Sequence, residues 1–246
     1  MQLVILASGS GKRLSHLTKS KPKCFVKIGK HRIIDYLKKN FKYFNKVIIV
    51  TGYKKKLISK EFKNYIVAKN KNFKNTNMVH SLFCAKKYIK NDIIVCYSDI
   101  IFSPKILIQM IKKKNTHMPI NQSWLKTWSL RMKKNKIFLD AETLEINKKN
   151  IISLGEKINQ KLPKYQFMGL IRISIKDYLK LYKYYKSLNN KKIDMTNFLN
   201  LSIKNKIIKM NYFKTSKFWF EVDTVSDVNL INNSTKLQKN ISLFFK

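Results

Sequence analysis

Acidic residues are scarce in this chain. Thirteen Asp and Glu stand against 52 Lys and Arg in 246 residues, a formal charge of +39. Arginine is scarcer still: only Arg13, Arg32, Arg131 and Arg172 carry a guanidinium, and every other basic residue is lysine. Guanidinium forks onto phosphates and base edges, whereas an ammonium is a hydrated point charge. The composition therefore argues against a specific nucleic-acid partner, although a chain this basic draws polyanions in a salt-dependent way. No apolar run approaches the roughly 20 residues that cross a bilayer, so no membrane association is expected. The short apolar start Met1–Ala7 lacks the basic lead of a secretory signal, and the expectation is a cytoplasmic protein. Three cysteines, Cys24, Cys84 and Cys96, lie far apart with no C-x-x-C, which leaves neither a disulfide framework nor a zinc site. No linker, repeat or low-complexity block interrupts the chain.

What is present is a globular core. Hydrophobic residues make up 44% and aromatics 12%, too apolar for a disordered basic tail, and the length suits one α/β domain. Residues 2–7, 47–50 and 93–97 are short apolar runs rich in β-branched residues, each ending in small or polar residues, as buried strands do. Helical spacing occupies 32–44, 77–89 and, opened by Pro104, 106–111. Strands alternating with helices imply βαβ units and a mostly parallel, Rossmann-like sheet flanked by helices. Beyond about residue 117 the pattern loosens into a smaller mixed or antiparallel region. Residues 136–155 and 165–174 read as strands, 177–188 and 194–203 as helices with Asp194 or Thr196 as a cap, 207–210 and 218–222 as late strands, and 224–237 as a closing helix. The lysine runs 54–56 and 112–114 read as solvated helix ends.

The first chemical signal is the loop after the first strand, Leu6-Ala7-Ser8-Gly9-Ser10-Gly11-Lys12-Arg13. A small, glycine-rich turn lets backbone N–H groups approach phosphate oxygens. It is not a Walker A loop, since Leu6 and Arg13 stand where Gly and Ser or Thr are required, and Leu14 breaks a G-x-G-x-x-G fingerprint. A plain strand–helix turn is the alternative. The few acids are the second signal. Asp99 ends the third apolar strand, where open α/β sheets place ligands. Glu221 and Asp223 are two apart and share a face on a strand. Carboxylates at strand ends in so basic a chain suit Mg²⁺, a hard cation that combines one or two carboxylates with substrate phosphates and water; helix caps or lysine partners are the other reading.

Together these segments carry a resemblance. Gly9-Ser10-Gly11-Lys12-Arg13-Leu14, Thr18 and Lys21-Pro22-Lys23 resemble the nucleotidyltransferase family that activates sugar phosphates and phosphocholine-like acceptors. Asn75–Val79, Tyr97-Ser98-Asp99, Trp124–Arg131, Asp140–Leu144, Tyr165–Leu170 and Trp219-x-Glu221-Val222-Asp223 are similar to its bacterial phosphocholine- and glutamine-phosphate-cytidylyltransferase-like branch. The resemblance implies a nucleotide-diphospho-sugar transferase-like fold, with residues 1–115 as nucleotide half and 116–246 as acceptor half. It implies Mg²⁺-dependent transfer of CMP from CTP to a small phosphorylated acceptor, in service of surface polysaccharide or lipid modification. Asp99 and Asp223 are the implied metal ligands, with Glu221 nearby. Lys23 is implied to neutralise the α-phosphate or the acceptor phosphate, and Arg13 to fork onto the β- and γ-phosphates. Leu6 to Lys12 and Ser98 would line the nucleotide, with Asn77 on the base or ribose or else capping a helix. Trp124 and Trp128, four apart, with Tyr97, Tyr165 and Trp219, could wall a quaternary ammonium or simply pack as core. Asp140 and Glu142 could hold an amine or face solvent. A sugar-1-phosphate nucleotidyltransferase using UTP or dTTP, and a polyanion-binding protein on the same scaffold, are the competing readings. The residues leave oligomeric state open.

Overall fold

A computed structural model describes residues 1–158 and 161–243. The elements in chain order are β1 (Gln2–Ala7), β2 (Lys27–Ile28), β3 (His31–Arg32), α1 (Ile33–Lys38), β4 (Lys46–Thr51), α2 (Lys55–Glu61), β5 (Ile66–Lys69) and α3 (Met78–Cys84). Next come β6 (Ile93–Tyr97), β7 (Ile100–Phe102), α4 (Pro104–Lys112), β8 (His117–Asn121), α5 (Trp124–Arg131), α6 (Lys134–Asp140), β9 (Glu142–Asn147) and β10 (Asn150–Lys157). The second half closes with β11 (Gln166–Phe167), β12 (Leu170–Ile173), α7 (Ile175–Leu188), α8 (Met195–Lys204), β13 (Met210–Thr215), β14 (Trp219–Glu221), α9 (Val225–Asn233) and α10 (Thr235–Ser242).

One sheet runs through both halves in the order β5-β4-β1-β6-β12-β8-β13-β10-β9, with β11 beside β8. Its first four strands are parallel. Beyond β6 it is mixed: β12 is antiparallel to β6 and β8, β13 is parallel to β8, and β10 and β9 continue antiparallel. The expected parallel strands flanked by helices and continued by a mixed region are what the chain forms, the mixed part holding six of the ten strands. All six residues of β1 are buried. A strand covered on both faces carries no polar alternation, which is why it reads as a continuous apolar run. Each such aliphatic side chain removed from water contributes about 1.5–3 kcal/mol.

Register positions the site. Ala7 pairs with Thr51 and Leu6 with Tyr97, so the loops after β1, β4 and β6 leave the sheet at one edge. A separate two-stranded ribbon does the rest. β7 and β14 pair antiparallel, with Glu221 opposite Ile100, and the Val222 N–H donates to the Asp99 carbonyl at 2.9 Å. Residues more than a hundred positions apart thus meet beside the loop that follows β1.

Several elements differ from the sequence expectation. Residues 134–140 form α6 instead of starting a strand; it buries only Ile137, and Leu139 stands 86% exposed. The expected helix over 32–44 stops at Lys38, where the Asn40 side-chain amide donates to the Tyr36 carbonyl and ends the helix. The β-branched pair Ile207-Ile208 is not a strand. Both N–H groups point to the Ser202 carbonyl after a left-handed turn at Lys206, and β13 begins only at Met210. The closing helix is two helices, α10 being capped afresh by Ser234. Asp194, not Thr196, caps α8.

An ion-pair knot ties β3 to α1 and α2. Arg32 forks onto Glu61 at 2.7 and 2.9 Å and also bonds Asp35, while Lys38 reaches the same Glu61. The Arg32 hydrogen bonds, aided by Lys38, outweigh the opposing effect of burial and hold the Glu61 carboxyl at about 2. A depressed folded-state value stabilises the fold above the ordinary carboxylate range, and that contribution fades as pH falls towards 2. Glu61→Gln is expected to cost about 1–2 kcal/mol in urea unfolding at pH 6–7. The gap from the unsubstituted protein should narrow steadily below pH 4.5, the ordinary value for this carboxyl. A gap independent of pH would show that the knot is not held by charge.

Candidate active site

The loop after β1 is anchored from below. The Ser8 carbonyl accepts from the Tyr53 N–H and the Ser8 hydroxyl bonds the Ser81 hydroxyl at 2.7 Å. Gly9 is exposed with open space beside it, so nothing screens the backbone there. Gly11 adopts φ +67°, and a Cβ there would stand 2.9 Å from the Cβ of Lys23. Only glycine allows the loop to lie against the Lys23 side chain. Lys12 and Arg13 are exposed at its end.

Beside this loop lies a cluster of opposite charges. Asp99 follows β6, Glu221 ends β14 and Asp223 lies two residues on; one oxygen of each falls within 4.8 Å of the others. The Lys23 ammonium donates to Asp99 and Asp223 at 2.6 Å each. Arg13 donates to Asp223 at 2.9 Å, so the glycine loop touches the acids directly. From below, buried Arg131 bonds Asp227 at 2.9 and 3.1 Å and approaches Asp223 at 3.5 Å and Glu221 at 3.7 Å. Asp227 is fixed in turn by a capping box with Thr224, and one of its oxygens accepts from the Asp223 N–H.

These contacts divide the acids. Burial raises the Glu221 carboxyl to about 8, helped by Asp223 and Asp99 and opposed by Arg131 and Lys23. Burial pushes Asp223 the same way, but Lys23, Arg13 and Arg131 overcome it and hold that carboxyl below its usual range. One oxygen of Asp99 is buried with no hydrogen-bond partner. Three oxygen donors from two segments, one oxygen unpartnered and one carboxyl raised chiefly by burial, fit a hard divalent cation, whose charge would favour the ionised form of Glu221. Lys23 supplies positive charge to the same two aspartates here.

A cavity of about 200 Å³ opens beside Arg13 and the acids. It is lined by Asp140, Glu142, Asp194, Glu221 and Asp223 together with Tyr97, Trp128 and Trp219. Five of the chain's thirteen carboxylates therefore face one hollow in a protein of charge +39. Glu142 is raised by burial and by Asp194 and Asp140, although the Thr196 hydroxyl donates to it at 3.2 Å. Gly155, at φ +80°, permits that arrangement, since a Cβ would stand 2.8 Å from the Thr196 Cβ.

Not every expected residue arrives. Trp124 and Trp128 share a face of α5, edge to face at 5.2 Å, and both are packed in the core; Trp128 also lines the cavity, whereas Trp124 puts its indole N–H on the Pro163 carbonyl. Tyr165 is also core, packed under the other face of the sheet, because apolar burial claims both rings. Asn77 caps α3, and its side-chain amide donates to the Lys192 carbonyl at 3.3 Å. Leu6, Ala7, Ser8 and Ser98 are buried at the sheet edge, so these residues offer main-chain groups and short hydroxyls rather than long side chains. Sequence reasoning missed Arg131, Asp227 and Asp194. Arginine rarity was the available signal: all four arginines pair with carboxylates. The cysteines are free, as expected, and burial pushes the Cys24 thiol up to about 12, which keeps it inert.

The family description "Nucleotidyl transferase" matches residues 2–238. The chain belongs to that family. The CTP:phosphoglutamine cytidylyltransferase of Campylobacter jejuni is 32% identical, the match covering 94% of this chain and 98% of that one. The choline-phosphate cytidylyltransferase of Streptococcus pneumoniae is 30% identical over 42% of this chain and 46% of its own. Among solved structures, the inositol-1-phosphate CTP transferase from T. maritima superposes with a TM-score of 0.80 at 18% identity, covering 100% of this chain and 96% of that one. The CTP:phosphocholine cytidylyltransferase of S. pneumoniae gives 0.72, also at 18%, covering 94% and 97%. Both share the fold. No helix among the described residues is long and apolar enough to cross a membrane.

Proposed function

We propose that this nucleotidyltransferase moves CMP from CTP to a small phosphorylated acceptor bearing a cationic end, such as phosphocholine or a phosphoamino acid like glutamine phosphate. The observation that carries this reading is the meeting of the glycine loop, the Lys23–Asp99–Asp223 cluster and an acid- and aromatic-lined cavity at one sheet edge. The Campylobacter relative, similar over nearly its full length, supports CTP as donor. An acceptor phosphate oxygen attacks the α-phosphorus, the bond to the bridging oxygen breaks, and pyrophosphate leaves. The nucleophile is already anionic, so no base is required; the obstacle is repulsion between polyanions.

The residues take complementary roles. Asp99, Asp223 and Glu221 would hold Mg²⁺, which when bound supplies charge neutralisation at the phosphate oxygens. Lys23, once its aspartates are satisfied by another cation, carries its charge to the α-phosphate. Arg13 grips the far phosphates, and backbone N–H groups of Ser8–Lys12 with Ser98 line the nucleotide. Tyr97, Trp128 and Trp219 give the acceptor's cation a polarisable wall, each contact contributing about 0.5–2 kcal/mol. Asp140, Glu142 and Asp194 give it charge. Residues 1–115 then serve the nucleotide and 116–246 the acceptor, with the acids contributed from both.

Pyrophosphate release should be at least about ten-fold faster with CTP than with UTP, ATP, GTP or dTTP, because one well-placed base contact is worth about that factor. Phosphocholine, glutamine phosphate, an aminoalkylphosphonate and a sugar 1-phosphate should be screened as acceptors. A UTP or dTTP winner with a sugar phosphate would replace this reading by sugar-nucleotide synthesis.

A further inference from the structure

A second, larger hollow of about 640 Å³ lies between α5, α6 and α9. It shares Arg13, Asp140 and Asp223 with the acceptor cavity, so the two chambers meet at the acid cluster. Their charges differ. The acceptor cavity has five carboxylates against one cation, Arg13. The larger chamber sets Arg13, Arg131, Lys133 and Lys136 against three carboxylates, Asp140, Asp223 and Asp227; Lys133 and Lys136, three apart where α6 begins, are both exposed and neither has a carboxylate partner among the described residues. Arg13 reaches its rim with a side chain 62% exposed.

We infer that this chamber receives the pyrophosphate end of the triphosphate and that Lys133 and Lys136 bind it opposite Arg13. This rests on the nucleotidyl-transfer reading of the site. In phosphoryl-type transfer the attacking and leaving oxygens lie roughly in line, on opposite sides of the phosphorus. An acceptor entering from the carboxylate-lined cavity therefore sends the leaving group away from it. The acceptor cavity offers a departing pyrophosphate one cation among five acids, whereas the neighbouring chamber, which shares Asp223, adds two ammonium groups with no carboxylate partner among the described residues.

The test is calorimetric binding of inorganic pyrophosphate with Mg²⁺, together with steady-state kinetics, on Lys133→Ala/Lys136→Ala. Both side chains are exposed, so the fold should be undisturbed, which circular dichroism checks. Two lost charge-assisted contacts should raise the Kd for pyrophosphate and the KM for CTP by about ten-fold or more, with acceptor KM unchanged. Lys176→Ala/Lys180→Ala, an exposed pair on α7, controls for bulk charge and should leave all three values alone. Pyrophosphate binding unchanged in the first variant, or weakened equally in the control, overturns the inference while leaving nucleotidyl transfer intact. Absence of pyrophosphate binding and release in the unsubstituted protein overturns both.

Discussion

Lys23→Ala is expected to lower turnover by about 100- to 1,000-fold, the range seen when one preorganised charge facing a transition state is removed. The same substitution should destabilise the fold. The Lys23 ammonium lies 2.6 Å from both Asp99 and Asp223, with a side chain only 13% exposed. Deleting it leaves two carboxylates facing each other with Glu221 beside them, a loss of about 3 kcal/mol, which lowers the melting midpoint of a domain this size by about 6–12 °C. Excess Mg²⁺ should restore much of that midpoint in Lys23→Ala and shift the unsubstituted protein less, because only the variant lacks the ammonium that bridges Asp99 and Asp223. Turnover stays low in either case, since the ion cannot replace an ammonium at the α-phosphate. Pyrophosphate release and thermal melts with and without Mg²⁺ check both parts. Full activity in a folded variant removes Lys23 from the mechanism.

Asp99→Asn separates the two effects. It keeps the shape and removes one charge from a carboxylate that has a buried, unpartnered oxygen. Activity should fall by at least about 1,000-fold, because several kcal/mol of charge stabilisation depend on the cation it would hold. Stability should change by no more than about 1 kcal/mol, since Lys23 keeps Asp223 and one of three mutually repelling acids is neutralised. The Glu221 carboxyl, raised partly by Asp99, should ionise at a lower pH in the variant. Loss of activity with an intact melting curve marks a functional acid. Retained activity with a lower midpoint would mark Asp99 as a structural partner of Lys23.

The parts of this molecule legible in its sequence are those decided locally. β1, β4 and β6 are covered on both faces, so their apolar runs announce them, and the glycine loop follows from the small residues after β1. Asp99, Glu221 and Asp223 stood out because acids are rare here. What decides the rest is distant. No local signal pairs β7 with β14, yet that ribbon brings Asp223 to Lys23. Trp124 and Trp128 look alike at helical spacing and both are buried in one core, and only the packing of α5 leaves Trp128 lining the cavity as well. Arg131 lies in a stretch where the sequence pattern loosens, and its role depends on Asp227, almost a hundred residues later. Residues 134–140 and 207–210 misled because β-branched or apolar runs suit either a strand or a helix edge, and the neighbouring turn settled them.

The central claim is that Asp99 and Asp223 together hold a divalent ion between donor and acceptor. Paramagnetic titration of Mn²⁺ with CTP present and acceptor omitted tests it most directly. One ion that Mg²⁺ displaces should bind the unsubstituted protein at least about ten-fold more tightly than it binds Asp99→Asn. Equal Mn²⁺ affinity in the two proteins, with Asp99→Asn folded, would contradict it.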